Sequence, residues 1–327
     1  MEYAFSRNLF LENRVEKIGL DSIRLTQHNC YLGEAPFHYS AAHGDHIGFG
    51  SDFKKELAIQ KSIHELIERL HFKKLAAELG TTNTTGFAVH SSRKKAADAS
   101  IRELIERDSV ISTWLLKYPP TWLDINVAAA NLNESYRKLL TSMRDHQFII
   151  RIGVVSVTGP YTTVCSVLCD GSRTSRFGLI FSSATDRHLM TAITSTLNEL
   201  SRGAEVLLHR LNQEISLFDV NLHPSEIRDT FQHLEFYLNP ENIRSLDWFL
   251  GETRKENLIT PFHEPEIVFL EEHFETPWPI SASFAYSDKY QKFFTGLPDD
   301  ADINLERLSE IADLKIETYN KGIHYLP

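Results

Sequence analysis

The sequence predicts a mixed α+β fold organised as one large domain, and three features carry that expectation. Two long helical periodicities share the pentapeptide Glu-Leu-Ile-Glu-Arg. Two neighbouring apolar runs read as buried strands. Finally, no linker-like or low-complexity stretch divides the 327 residues. A domain spanning 1–327 follows, with 1–43 as an N-terminal segment whose place in that domain is unassigned.

The first fifty residues are broken by turn-formers and end in the glycine-rich stretch His43–Asp52. A helix is predicted from about Phe53 to Leu79, because Leu57, Ile59, Ile63, Leu66, Ile67 and Leu70 recur at helical spacing. Gly80 and the polar run after it stop this helix. A short strand at Gly86–His90 leads to Ser91–Ser92, hydroxyl residues suited to cap a second helix from about Arg93 to Leu116. Phe148–Val157 and Thr163–Cys169 read as buried strands joined by a turn at Gly159–Pro160, with a further strand at Phe177–Ser182. A third long helix is predicted from about Asp186 to Leu211, then a strand at Ser281–Tyr286 and a helix at Asn304–Asp313.

Composition bounds the function. Charged residues make up 24% and apolar residues 42%, ordinary for a soluble protein with a real core. A net charge of −10 argues against broad binding to nucleic acid or anionic membrane. No run of about 18 apolar residues offers a membrane span, and no signal peptide opens the chain. Three cysteines do not make a disulfide framework, so reduced thiols in a cytoplasmic protein are expected; Cys165 and Cys169 read as core thiols.

The repeated pentapeptide carries the chemistry. In His64–Leu70 and in Arg102–Asp108 the two glutamates stand at i and i+3, so Glu65 and Glu68 share one helix face, as do Glu103 and Glu106. One such copy is an ordinary helix former with a weak internal ion pair. Two copies in mainly apolar helices suit a pair of helices whose four carboxylates converge. Left alone those carboxylates would repel; magnesium bridging to triphosphate oxygens removes the cost. The third helix adds Glu199, which can complete the metal set, and Arg202, which can neutralise phosphate. Gly48-Phe49-Gly50-Ser51 can cradle a phosphate through backbone N–H groups, with Ser51 as a cofactor contact; a plain turn is the competing reading. His38, His43 and His46 crowd the same region, but lack the cysteine or carboxylate spacing of a zinc site.

These segments resemble the YcaO-domain family. The stretch from Gly86 to Trp114 is similar to that family's central signature, a glycine-led strand before a helix carrying ExxER and an acidic residue. Lys54–Phe72 resembles its first ExxER helix, His188–Arg202 its third motif, and Tyr286–Leu308 its closing segment. The resemblance implies a mixed α/β fold with a nucleotide site lined by three helices. It also implies ATP-dependent activation of a peptide backbone amide. On that basis Glu65, Glu68, Glu103, Glu106 and Glu199 would hold magnesium. Arg69, Arg107, Arg202 and Arg307 would contact phosphate or support the carboxylates, Arg107 acting in catalysis. The wording of the first helix and the final Leu326-Pro327 look closest to cyclodehydratase subunits of azole-forming microcin synthetases, whose proline-containing tails reach the active site; Pro327 would then be catalytic. Such a protein makes thiazoline or oxazoline rings from Cys, Ser or Thr of a ribosomally made precursor peptide. The same ATP chemistry also serves thioamide formation, and a non-catalytic assembly subunit is the third reading. The implied partners are the precursor, a leader-binding subunit resembling the ubiquitin-activating-enzyme fold, and a flavin-dependent dehydrogenase; a homodimer within the complex is compatible. Lys61, Lys95 and Arg202 depart from the family pattern around these motifs.

Overall fold

The structure, a computed structural model, describes residues 22–79, 84–172, 175–219, 222–251, 253–270 and 279–324. In chain order the elements are β1 (Arg24–Gln27), β2 (Phe37–His43), β3 (His46–Asp52), α1 (Lys55–Leu79), β4 (Phe87–His90), α2 (Arg93–Leu115), β5 (Thr121–Trp122), α3 (Ile125–Ala130) and α4 (Glu134–Asp145). They continue with β6 (Phe148–Thr158), β7 (Tyr161–Asp170), β8 (Leu179–Asp186), α5 (Leu189–Asn212), α6 (Thr230–Leu238), α7 (Asp247–Gly251), β9 (Ile259–Thr260), β10 (Glu266–Leu270), β11 (Ser281–Tyr286) and α8 (Leu305–Ala312). The mixed fold is as expected, and every predicted helix is present. Two compact units divide it: 1–29, 36–104 and 263–288 in one, 30–35, 105–262 and 289–327 in the other. The continuous helix α2 gives residues 93–104 to the first and 105–115 to the second.

The first unit holds two antiparallel three-stranded sheets, in orders β1-β2-β3 and β10-β11-β4. Ile63, Leu66, Ile67 and Leu70 form the buried stripe of α1, packed with Phe87, Val89, Val268, Ala282 and Phe284. The glycine-rich stretch turns at Gly44–Asp45 and then runs as a strand. That strand is β3, and its glycines let the backbone of α1 lie directly on it: a Cβ on Gly48 would stand 2.2 Å from the Leu66 nitrogen, and one on Gly50 2.0 Å from the Ala58 carbonyl oxygen. Alternate glycines on one strand face therefore position the helix that bears the first repeat.

The second unit is built on an antiparallel sheet in order β5-β6-β7-β8, with β9 parallel to β6. Its core joins Val110, Ile111, Trp114 and Leu115 of α2 to Val155, Val167, Phe181 and Phe249. The strand expected at Phe177–Ser182 is displaced to Leu179–Asp186. The Gly178 N–H turns away to the Leu238 carbonyl; Ser182 and Thr185 are buried hydroxyls paired inside the sheet with Ser166 and Thr163, and Ser183 is a buried hydroxyl as well. No described helix is long and apolar enough to cross a membrane.

Candidate functional site

In the first unit the α1 copy of the repeat is tied down on every side. Glu65 Oε2 accepts the Phe49 N–H of β3 at 2.9 Å, and Oε1 accepts Arg69 Nη2 at 2.7 Å. Arg69 therefore serves the carboxylate four residues before it, the role in which geometry places this expected phosphate contact. Glu68 is half-buried one turn further on. Ser51 is buried with its hydroxyl 2.8 Å from His38 Nδ1, and Lys61 donates to Asp52 Oδ2 at 2.8 Å. His43 turns instead to the Ser22 carbonyl; among the described residues His38, His43 and His46 do not gather as a metal-binding group.

His64, immediately before Glu65, lies 5.7 Å from the His90 ring. Burial, then the neighbouring His90, push its pKa down to about 4, so His64 is neutral near pH 7. Its Nε2 is buried without a hydrogen-bond partner.

In the second unit α2 presents the end of the other copy. Glu106 is half-buried and its Oε1 accepts the Ser183 hydroxyl of β8 at 2.7 Å. One turn on, Ser109 joins a buried hydroxyl network with Ser156, Thr163 and Thr185. Arg107 forms no ion pair among the described residues; its guanidinium carbon lies 5.1 Å from the centre of the Phe293 ring.

Arg307, expected beside phosphate, is buried. Its Nε and Nη2 donate to Asp108, at 3.1 and 2.7 Å, and its Nη1 donates to the Pro261 carbonyl and to Glu310. Gln291 N–H gives Asp108 a further bond at 2.7 Å. Burial opposes charge on Arg307, and the Asp108 and Glu310 carboxylates more than offset it, holding the guanidinium above its ordinary range. Arg307 thus supports a carboxylate, one of its two expected roles. Asp108 itself was visible in sequence only as the acidic residue following ExxER.

Glu103 is half-buried on the 93–104 part of α2. On α5, Glu199 is exposed and Arg202 half-buried, while the adjacent Asn198 is buried and accepts the Tyr136 hydroxyl at 3.1 Å. Glu205, two turns beyond Glu199, was missed: its carboxylate accepts the backbone N–H groups of Tyr31 and Leu32 and fixes that segment on α5. Pro327 lies outside the described residues. The chain before it is anchored, with Ile323 in the core and its carbonyl accepting the Tyr237 hydroxyl. Cys165 is buried and Cys169 nearly so, and burial pushes the Cys169 thiol up to about 12, as befits core thiols.

Each of the five glutamates offers the oxygen donors that magnesium prefers, and four of them are half-buried. Arg107 directly follows Glu106 and has no carboxylate partner among the described residues.

Solved structures share this fold at low identity. The E. coli microcin synthetase McbBCD complex contains a chain 12% identical, matched over 89% of this chain and 91% of that one, with a TM-score of 0.59. YcaO from Methanopyrus kandleri bound with AMPPCP and Mg2+ is 11% identical, over 81% of this chain and 85% of that one, at 0.55. A heterocyclase in complex with substrate and cofactor is 10% identical, covering 92% of this chain and 54% of that one, at 0.59. No curated protein sequence matches the chain. The family model described as YcaO cyclodehydratase, ATP- and Mg2+-binding, matches residues 71–267, which takes in the second and third motifs; the first repeat and Arg307 fall outside that span. With more than half its length so matched, the chain belongs to the YcaO family.

Proposed function

We infer that this protein is an ATP- and magnesium-dependent cyclodehydratase, acting in the cytoplasm on backbone amides of a ribosomally made precursor peptide. Its products would be thiazoline or oxazoline rings from Cys, Ser or Thr. The observation that carries this reading is the Glu106–Arg107 turn of α2. There a carboxylate is aimed by a buried hydroxyl, and the next residue is an arginine without a carboxylate partner, inside the segment that matches the family.

When bound, ATP supplies the phosphoryl group that makes the amide oxygen a leaving group. The chain's own part is to position and to neutralise charge. Glu65, Glu68, Glu103, Glu106 and Glu199 would hold magnesium. Arg107 and Arg202 would neutralise phosphate, whereas Arg69 and Arg307 would keep carboxylates in place. Ser51 would contact the cofactor, and Pro327 would act in catalysis. The likeness to the McbBCD complex, which is also solved with pro-MccB17 bound, supports a multi-subunit assembly and a peptide substrate. In that assembly a leader-binding subunit resembling the ubiquitin-activating-enzyme fold would present the precursor, and a flavin-dependent dehydrogenase would oxidise the azolines.

The test combines the purified chain with ATP, magnesium, its neighbouring subunits and the genomically adjacent precursor, and follows precursor mass. Loss of one water per ring is expected. Exchange of oxygen for sulfur would show a thioamide-forming enzyme instead, and unchanged mass without ATP consumption would leave a non-catalytic subunit. Replacing Glu103 and Glu106 together with Gln should abolish turnover, a loss of about 10³-fold or more, with the melting temperature kept. Full activity in that variant removes the metal assignment.

A further inference from the structure

Arg107 and Arg69 occupy the same place in the two repeats, yet only Arg69 is held by a carboxylate. A carboxylate competes with phosphate for guanidinium donors. An aromatic face does not, because it leaves the N–H edges open while restricting the side chain. Phe293 supplies such a face to Arg107.

The segment holding Phe293 is fixed along its length. Its Tyr290 ring lies 5.0 Å from the Arg307 guanidinium carbon, and Gln291 N–H donates to Asp108. The His324 imidazole meets Phe293 edge-on, with ring centres 5.3 Å apart, and Phe294 likewise at 4.9 Å. His324 Nε2 lies 2.6 Å from the Phe294 carbonyl oxygen. Behind it, the tilted His233 ring lies with its centre 4.4 Å away, and its Nε2 accepts the Gly296 N–H at 2.7 Å. His324 is fully buried. His324 and the motif arginine thus pack against one phenyl ring.

We propose that Phe293 is the positioning residue for Arg107, and that the docked C-terminal segment, through His324, keeps that ring in place. The inference rests on the nucleotide role given to Arg107 above. Arg107 would accordingly be presented for phosphate only when the segment carrying His324 is seated.

The experiment measures calorimetric affinity of the full chain for a methylene-bridged ATP analogue with magnesium, alongside melting temperature. Phe293→Leu should weaken binding roughly three- to tenfold, and Phe293→Tyr should restore it. Phe293→Met replaces the Leu variant should that one unfold. Arg107→Gln should weaken binding at least as much, and adding Phe293→Leu to it should cost nothing further. His324→Ala should reproduce the Phe293→Leu loss. Where Arg107→Gln weakens binding but Phe293→Leu does not, or where the two losses add in full, the positioning role alone is overturned. Unchanged affinity in Arg107→Gln removes the nucleotide assignment of Arg107, and this inference with it.

Discussion

The segments His64–Leu70 and Arg102–Asp108 agree at five central positions and differ at both ends. The shared Leu and Ile do the same work in each: Leu66, Ile67, Leu104 and Ile105 are all buried and turn the glutamates to the opposite face. The ends do different work. His64 is a half-buried neutral imidazole, while Arg102 pairs with Asp98 on its own helix at 3.0 Å. Leu70 closes an apolar cluster, while Asp108 anchors a buried ion pair. Between them, Arg69 is bound to Glu65 and Arg107 lies over Phe293. A repeated motif therefore fixes which face carries the carboxylates, and the flanking residue on each side decides what holds the helix and which arginine is left for a ligand.

The largest expected break in this comparison is at Asp108. Removing one partner of a buried ion pair leaves the other charged and unsolvated, so Asp108→Ala should lower unfolding free energy by about 3–5 kcal/mol. Urea titration measures it. Replacing both partners, as Asp108→Leu with Arg307→Met, should recover most of the loss, because apolar residues of similar volume need no charge compensation. A single-variant loss below about 1 kcal/mol would mean that the pair is solvated and does not anchor α2.

His64 gives the next effect, through pH. Its folded pKa of about 4 lies below the ordinary value of about 6.5. Between those values the unfolded chain binds the proton and the folded chain does not. The contribution of His64 is therefore complete above about pH 6.5 and is lost as pH falls toward 4, with a slope of at most about 1.4 kcal/mol per pH unit. His233, also pushed down to about 4 by burial, adds to the same window. Urea midpoints at about pH 7 and ~5 should fall further for the natural chain than for His64→Leu. Equal falls would show that His64 does not titrate across folding.

Helix period and strand alternation are local properties, and the helices α1, α2 and α5 and the β6–β7 hairpin were legible for that reason. The glutamates were legible too, since i and i+3 fix a common face. What each side chain meets is not local. Asp108 and Arg307 are far apart in sequence, and nothing near Phe293 marks it as the platform for Arg107. A bare strand face and a phosphate loop share the glycine composition of β3, so the helix packed on that strand could not be read from its residues. The far end of β8 was not legible for a related reason, since a serine buried in a sheet and one at its edge look alike.

One of those hydroxyls gives the smallest and sharpest test. Glu65 is oriented by a main-chain N–H, which no side-chain replacement removes, whereas Glu106 is oriented by the Ser183 hydroxyl alone among the bonds described for its carboxylate. Groups that orient a metal ligand typically change metal affinity by about 10–100-fold when lost. Ser183→Ala should therefore raise the magnesium concentration that half-saturates nucleotide binding by about tenfold. Its effect on stability should stay near 1 kcal/mol, the worth of one hydrogen bond. Ser183→Thr keeps the hydroxyl and should keep the affinity if the extra methyl is accommodated, which the melting temperature reports. A magnesium response unchanged in Ser183→Ala would show that Glu106 needs no orienting partner, and only the first repeat would then hold its carboxylate by more than the helix face.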